Sequence, residues 1–367
     1  MKTYVAVYFG AALIAMILTP ILSRIAKARG IVDAPGVRKV HDRPIPRIGG
    51  LAILVATLSL VLGVLWLHNT VGEAFRRVHR ELFALLLGGS VMYVVGLVDD
   101  LRSVRAGIKL ACLLGASLLV CLSGARFQDI QVGTWLDLNL GWTSWPITVI
   151  WIAGITVGFN FIDGLDGLAA GIAAIVCGSI AAFAAYTGQG VMLVLMLALL
   201  GSLTGFLFFN FNPARIFMGD GGSMFVGFII AAGSVVCQAK THTLAGIGLP
   251  VLALGVPIFD TAFTMIRRRV LDRRSLLAAE RGHIHHRLLD RGLRHPTAVI
   301  VIYGITLVSA GIGILMMAVR EGLVICLLAG GLLFLLAAFS LIGSARFRDT
   351  VAAVRRNRII AHQVKRE

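Results

Sequence analysis

Long apolar stretches alternate along the chain with short polar interruptions, and few of the stretches carry a charge in their interior. Each covers about the 20 residues an α-helix needs to cross a hydrocarbon core. Eleven such segments can be marked, near 3–23, 48–67, 81–98, 107–123, 144–160, 166–186, 190–209, 222–238, 244–266, 297–319 and 322–342. The pattern predicts an all-α polytopic membrane protein with about eleven transmembrane helices. One stretch differs: FQDIQVGTWLDLNLGW, residues 127–142, alternates with period two around Gly133 and Thr134, as a small outer-face hairpin would.

Composition agrees. Hydrophobic residues make up 58% and charged residues 14%, and mean hydropathy is +0.89, whereas soluble domains approach a quarter charged. Of the 34 Lys and Arg, 27 follow odd-numbered segments or lie in the C-terminal tail. Cytoplasmic loops are rich in these residues, so the N-terminus is expected outside, in the periplasm, and the C-terminus in the cytoplasm. Arg76, Arg77 and Arg80 are the one cluster against this orientation. The net charge of +16 raises nucleic acid as a partner, but the cations border apolar spans without interleaved aromatics. Anionic membrane lipids explain them better, and no nucleic acid is expected. Cys112, Cys121, Cys177, Cys237 and Cys326 lie in apolar segments without CxxC spacing and read as packing residues. Residues 1–23 lack a basic lead and read as a retained span. Residues 1–343 form one expected transmembrane domain, and 344–367 a basic cytoplasmic tail.

The chemistry-bearing loops, 24–47, 99–106, 160–167, 210–222 and 267–296, all follow odd-numbered segments and therefore share one face. HDRPIPRIGG brings His41, Arg43 and Arg47, as lipid-phosphate ligands or structural groups. GLVDD ends the third segment with Asp99 and Asp100, either a stop signal or a pair supplying a base and a cation ligand. In FNFIDGLDG, Asn160, Asp163 and Asp166 recur every three residues, which a helical continuation would align in one stripe. The plainer alternative is a polar turn with Asp166 capping the sixth segment. NPARIFMGDGGS places Asn212, Arg215 and Asp220 before a glycine-rich helix start, whose N–H groups suit a phosphate while Asp220 suits a divalent cation. Arg281, His283, His285 and His286 occur without HExxH spacing, and could donate hydrogen bonds or charge to phosphates and sugar hydroxyls. Asp260 lies inside the ninth segment with Pro250 and Pro257, which suggest a kink that could open a groove. Oxygen donors of this kind favour Mg²⁺, or Mn²⁺, over zinc.

The strings DRPIPRIGG, GLVDD, NFIDGLDGLA, FNFNPARIFMGDGGS, PIFDTAFTMIRRR and HIHHRLLDRG, spread over residues 42–292, resemble the polyprenyl-phosphate N-acetylhexosamine-1-phosphate transferases. This is the MraY/WecA/TagO superfamily, glycosyltransferase family 4, and the HIHH string looks like its WecA-type branch. The resemblance implies transfer of N-acetylglucosamine 1-phosphate from UDP-GlcNAc to undecaprenyl phosphate at the cytoplasmic face of the bacterial inner membrane. UMP leaves, and the lipid-linked diphosphate sugar begins a cell-surface polysaccharide. It further implies catalytic Asp99 and Asp100, with Asp99 as base, and Mg²⁺ on Asp220 with Asp99 as a further ligand. Asn160, Asp163, Asp166 and Asn212 would hold the nucleotide, and Arg281 with the three histidines the sugar and diphosphate. Another UDP-N-acetylhexosamine, such as a 6-deoxy sugar, stays open, as does a homodimer. An ion-coupled transporter is the rival from another class, but it would set its acids near the bilayer midplane.

Overall fold

A computed structural model describes residues 1–33, 44–67, 71–73, 79–132, 136–241, 243–267, 283–319 and 322–342. Four helices come first: α1 (Lys2–Ala28), α2 (Gly50–Leu65), α3 (His79–Leu101) and α4 (Ala106–Leu122). Between α1 and α2, β1 (Val32–Asp33) pairs antiparallel with β2 (Ile45–Pro46). After α4, β3 (Asp129–Val132) pairs antiparallel with β4 (Leu136–Asn139), in the register Asp129 opposite Asn139. The remaining helices are α5 (Ser144–Ile162), α6 (Leu168–Tyr186), α7 (Gly190–Asn210), α8 (Gly219–Ala239), α9 (Leu244–Ala253), α10 (Gly255–Arg267), α11 (Ile284–Asp290), α12 (His295–Leu315) and α13 (Gly322–Ile342).

Among the described residues, eight helices are long and apolar enough to cross a membrane, and the bent pair α9–α10 makes a ninth such span. α2 and α4 are equally apolar but shorter, at 16 and 17 residues. The protein is thus an all-α, multi-pass membrane protein. Each apolar segment of the sequence coincides with one of these helices or with the bent pair.

The bundle is organised around α8, which is enclosed on nearly every side, with α3 and α5 packed along it and α1 along α7. Lipid tails are as apolar as leucine, so helices in a membrane associate through close packing and hydrogen bonds. Here Gly227 lets α8 approach Phe159 and Thr156 of α5, and Gly96 lets α3 rest on the Asp220 backbone. Thr57 and Ser202 share a hydrogen bond of 2.9 Å, and Trp151 Nε1 donates to Ser234 at 3.0 Å. Outward, α1 presents Val5, Phe9, Leu13, Ile17, Ile21 and Ile25, an apolar stripe suited to lipid.

The hairpin expected from residues 127–142 is present, its turn at Gly133 and Thr134 lying outside the described residues. Gln238 Nε2 donates to the Asp129 carbonyl at 3.0 Å, tying the hairpin to the end of α8 remote from Asp220.

Several expectations need correction. The ninth segment is two helices meeting at 69°, because Pro257 has no N–H to donate to the Ala253 carbonyl, where the first of them ends. Leu335 of α13 sits against Gly255 and fills the bend, so the kink does not open the expected groove there. α3 continues through Asp99 and Asp100, and α8 begins at Gly219, placing these acids in terminal helical turns rather than loops. Asn160, Asp163 and Asp166 do not form a stripe, since α5 stops at Ile162 and Asp163 leaves the helix at φ −72°, ψ 50°. Nor does Asp166 cap α6: Gly167, in the left-handed conformation at φ +77°, holds that position.

Candidate active site

The site is assembled by backbone pairing between two segments far apart in sequence. Phe217 N donates to the Pro46 carbonyl at 2.7 Å, Gly49 N to Phe217 at 3.0 Å, and Gly50 N to Met218 at 2.9 Å. Gly50 and Gly222 then touch with no space for a side chain at either. This docking sets Arg47 and Asp220 beside the end of α3.

There the acids are partitioned. Asp100 Oδ2 accepts from Gly221 N at 3.2 Å, and Arg47 Nη2 lies 3.2 Å from Asp100 Oδ1. The latter approach is an ion pair without aligned hydrogen-bond geometry. Arg47 also bonds Asp33 at 3.2 Å. Asp99 accepts from Val104 N at 2.7 Å and from Lys109 Nζ at 2.6 Å, and Lys109 Nζ stands 3.7 Å from Asp220 Oδ2. The carboxyls of Asp99 and Asp220 are themselves within hydrogen-bonding reach. Lys109 therefore bridges two acids, a role the sequence reading missed. Its signal was a lone cation in the apolar run AGIKLACLL, where an unpaired charge would be costly. The N–H of Gly221, which suited a phosphate, is committed to Asp100 instead.

Asp163 stands in the turn after α5. Burial first, then the nearby charges of Asp220 and Asp100, raise its carboxyl to about 8, with Arg47 opposing them. Asp166 Oδ2 accepts from Asn212 Nδ2 and from Ala214 N, both at 3.0 Å, tying the α5–α6 turn to the α7–α8 connection. Asn210 completes the tie, accepting from Gly167 N at 3.1 Å and donating to the Ile216 carbonyl at 2.9 Å. Asn160 Nδ2 donates to Ser223 Oγ at 3.1 Å, so it serves the α5–α8 contact.

The histidine string divides in the same way. Asp260, 2% exposed, bonds His283 Nδ1 at 2.7 Å through one oxygen and accepts from Ile284 N at 2.7 Å through the other. That carboxylate anchors the start of α11, which identifies Asp260 as a support of this helix. His283 stacks parallel on His285 at 5.8 Å, and a methyl at Gly164 would stand 2.7 Å from His285 Nε2. Burial, with His286 next, lowers the His285 imidazole to about 3, so it packs as the neutral ring against the Asp163 turn. Only His286 of the three lines the cavity. His41, Arg43 and Arg281 lie outside the described residues.

The cavity, of about 1060 Å³, has Arg47, Asp163, Asp166, Asn212, Asp220 and His286 on its wall, while Asp99 and Asp100 stand behind Asp220. Asp99 and Asp220, in mutual reach, and Asp163, whose proton affinity the charges of Asp220 and Asp100 raise, form a set a divalent cation would relieve. Among the described residues no three His, Cys, Asp or Glu side chains form a chelating group. Such a donor set fits Mg²⁺, which takes one or two carboxylates and completes its shell with water and phosphate.

Fold and site define an integral membrane protein with an acid-lined cavity at one end of its helical bundle. Residues 82–238 match the sequence profile of Glycosyl transferase family 4. A "Probable undecaprenyl-phosphate N-acetylglucosaminyl 1-phosphate transferase" of Bacillus subtilis (strain 168) is 42% identical over 289 residues, 78% of each chain. The "Decaprenyl-phosphate N-acetylglucosaminephosphotransferase" of Mycobacterium leprae (strain TN) is 32% identical over 319 residues, 80% of this chain and 78% of that one. The "Undecaprenyl-phosphate alpha-N-acetylglucosaminyl 1-phosphate transferase" of Escherichia coli (strain K12) is 25% identical over 303 residues, 80% of this chain and 78% of its own. The chain belongs to glycosyl transferase family 4 and is a membrane transferase of that family.

Proposed function

We propose that the protein transfers N-acetylglucosamine 1-phosphate from UDP-GlcNAc to undecaprenyl phosphate, the first membrane step of a cell-surface polysaccharide. An acceptor phosphate oxygen attacks the β-phosphorus of the donor, the bond between the two phosphorus atoms' bridging oxygen and that β-phosphorus breaks, and UMP leaves. The observation that carries this reading is the pair of acids Asp163 and Asp220 on the wall of a cavity that Arg47 and Arg215 also line, with Asp99 in reach of Asp220 behind it, in a chain whose relatives are named for this transfer. Loop cations favour the cytoplasmic face of the inner membrane for it.

Phosphoryl transfer depends mainly on positioning and charge neutralisation. Asp220, with Asp99, would hold Mg²⁺, which when bound supplies charge neutralisation for the diphosphate. Both Asp99 oxygens already accept hydrogen bonds, one from Lys109, which weakens Asp99 as the expected base. Asp163 is better suited: it faces the cavity, and its proton affinity is tuned near the working pH, where a base is most effective. Asp100 positions Arg47 and the start of α8. Asp166 and Asn212 brace the nucleotide side, and His286 faces the sugar and diphosphate.

Purified protein given undecaprenyl phosphate and Mg²⁺ should release UMP with UDP-GlcNAc. Release only with UDP-GalNAc or a 6-deoxy analogue would move the donor assignment. Silence with every donor from folded protein would overturn the reading.

A further inference from the structure

The apolar run of α12 carries one phenol, Tyr303, which is not part of the cavity wall. α12 packs along α6, and the Tyr303 hydroxyl crosses the first turn of α6 to donate to the Gly167 carbonyl at 2.5 Å. The crossing depends on Gly171, since the ring lies against it and leaves no space for a side chain there. Packing does not call for the hydroxyl. The Gly167 carbonyl already accepts from Gly171 N at 2.9 Å, so a phenylalanine at 303 would leave no group of this pair without a partner.

What sets this bond apart is the place of its acceptor. Gly167 closes the turn that carries Asp163 and Asp166, and it is held on both sides of its backbone: its N–H by Asn210 of α7 and its carbonyl by Tyr303 of α12. The other end of the turn hangs from α5 by backbone bonds alone, Asp163 N to Phe159 at 3.2 Å and Gly164 N to Ile162 at 2.7 Å. The two acids between these ends are not equally fixed. The Asp166 carboxylate is tied to Asn212 and Ala214, whereas the Asp163 carboxyl makes no hydrogen bond with the described residues. The aim of Asp163 is therefore set by the backbone of the turn. A tilt of the Gly167 peptide would re-aim Asp163 and leave the Asp166 carboxylate in place.

We infer that Tyr303 is a positioning residue for the transfer: through Gly167 it holds the backbone that aims Asp163 into the cavity. The inference rests on the role proposed above for Asp163.

Steady-state kinetics of wild type, Tyr303→Phe and Thr57→Val test it, with UDP-GlcNAc and undecaprenyl phosphate varied in turn, alongside amide hydrogen exchange of residues 163–171 in the same purified proteins. Thr57→Val removes another buried bond between helices, the one to Ser202, and serves as the control for a merely structural loss. Tyr303→Phe should lower kcat about tenfold with both KM values within about twofold of wild type, since a misplacement of about 1 Å can cost about 100-fold and the loss of one hydrogen bond displaces the turn by less. Exchange within 163–171 should quicken several-fold in Tyr303→Phe and stay unchanged in Thr57→Val. A wild-type kcat in Tyr303→Phe, a rise in the donor KM without a fall in kcat, an equal fall in kcat in Thr57→Val, or unchanged exchange in Tyr303→Phe overturns the positioning role and leaves the functional reading standing. A wild type that turns over no UDP-sugar overturns the functional reading itself, and this inference with it.

Discussion

Asp163→Asn should make the protein more stable and inactive, with a pH signature of its own. In the folded chain the Asp163 carboxyl is raised to about 8, whereas an unfolded aspartate titrates near 3.9. The folded state therefore holds this proton more tightly than the unfolded chain. The resulting stability is present in full below about pH 4 and is lost as the pH rises toward about 8. Within that window stability falls with every pH unit, and between pH 5 and 7 the carboxyl costs at most about 3 kcal/mol. Asparagine does not titrate, so the variant escapes that loss. The assay is thermal unfolding of detergent-purified, metal-free protein, followed by tryptophan fluorescence. The variant's advantage should widen by a few degrees from pH 5 to 7, with phosphosugar transfer lost throughout. Midpoints of wild type and variant that move in parallel over this range would refute the burial and charge argument.

Other positions give independent tests. Lys109→Met should lower turnover about 10- to 100-fold, in line with 1.5–3 kcal/mol for a hydrogen bond to a charged group, and unchanged turnover would remove Lys109 from the site. Gly164→Ala would press a methyl against His285 Nε2, and a loss of about tenfold in kcat/KM is expected, while Gly107→Ala, with nothing within 4 Å, should behave as wild type. Asp260→Ala would strand His283 and the Ile284 N–H in a buried place, costing about 3–5 kcal/mol of stability by thermal unfolding. Asp260→Asn keeps an oxygen for Ile284 N and should cost distinctly less.

Helix positions were legible because an apolar run of helical length has few other fates in this composition. The loop residues that meet at the cavity were legible too, since parity alone puts them at one end. Their individual duties were not. Asp166 reads as a helix cap from sequence, yet its partners, Asn212 and Ala214, come from a connection more than 40 residues away. The three histidines look alike in HIHH, and only the anchoring by Asp260 decides that His283 and His285 turn inward while His286 faces the cavity. Lys109 was overlooked because its carboxylate partners lie on two other helices. Pro250 and Pro257 did announce the break in the ninth segment, but not that Leu335 would fill it.

The most direct test follows the β-phosphorus. Purified protein would be given UDP-GlcNAc labelled with ³²P at the β-phosphate, together with undecaprenyl phosphate and Mg²⁺, and the label traced between lipid and aqueous phases. Transfer of the sugar 1-phosphate predicts label in the lipid and UMP as the nucleotide product. Label retained in aqueous UDP, or in unreacted donor, would contradict it.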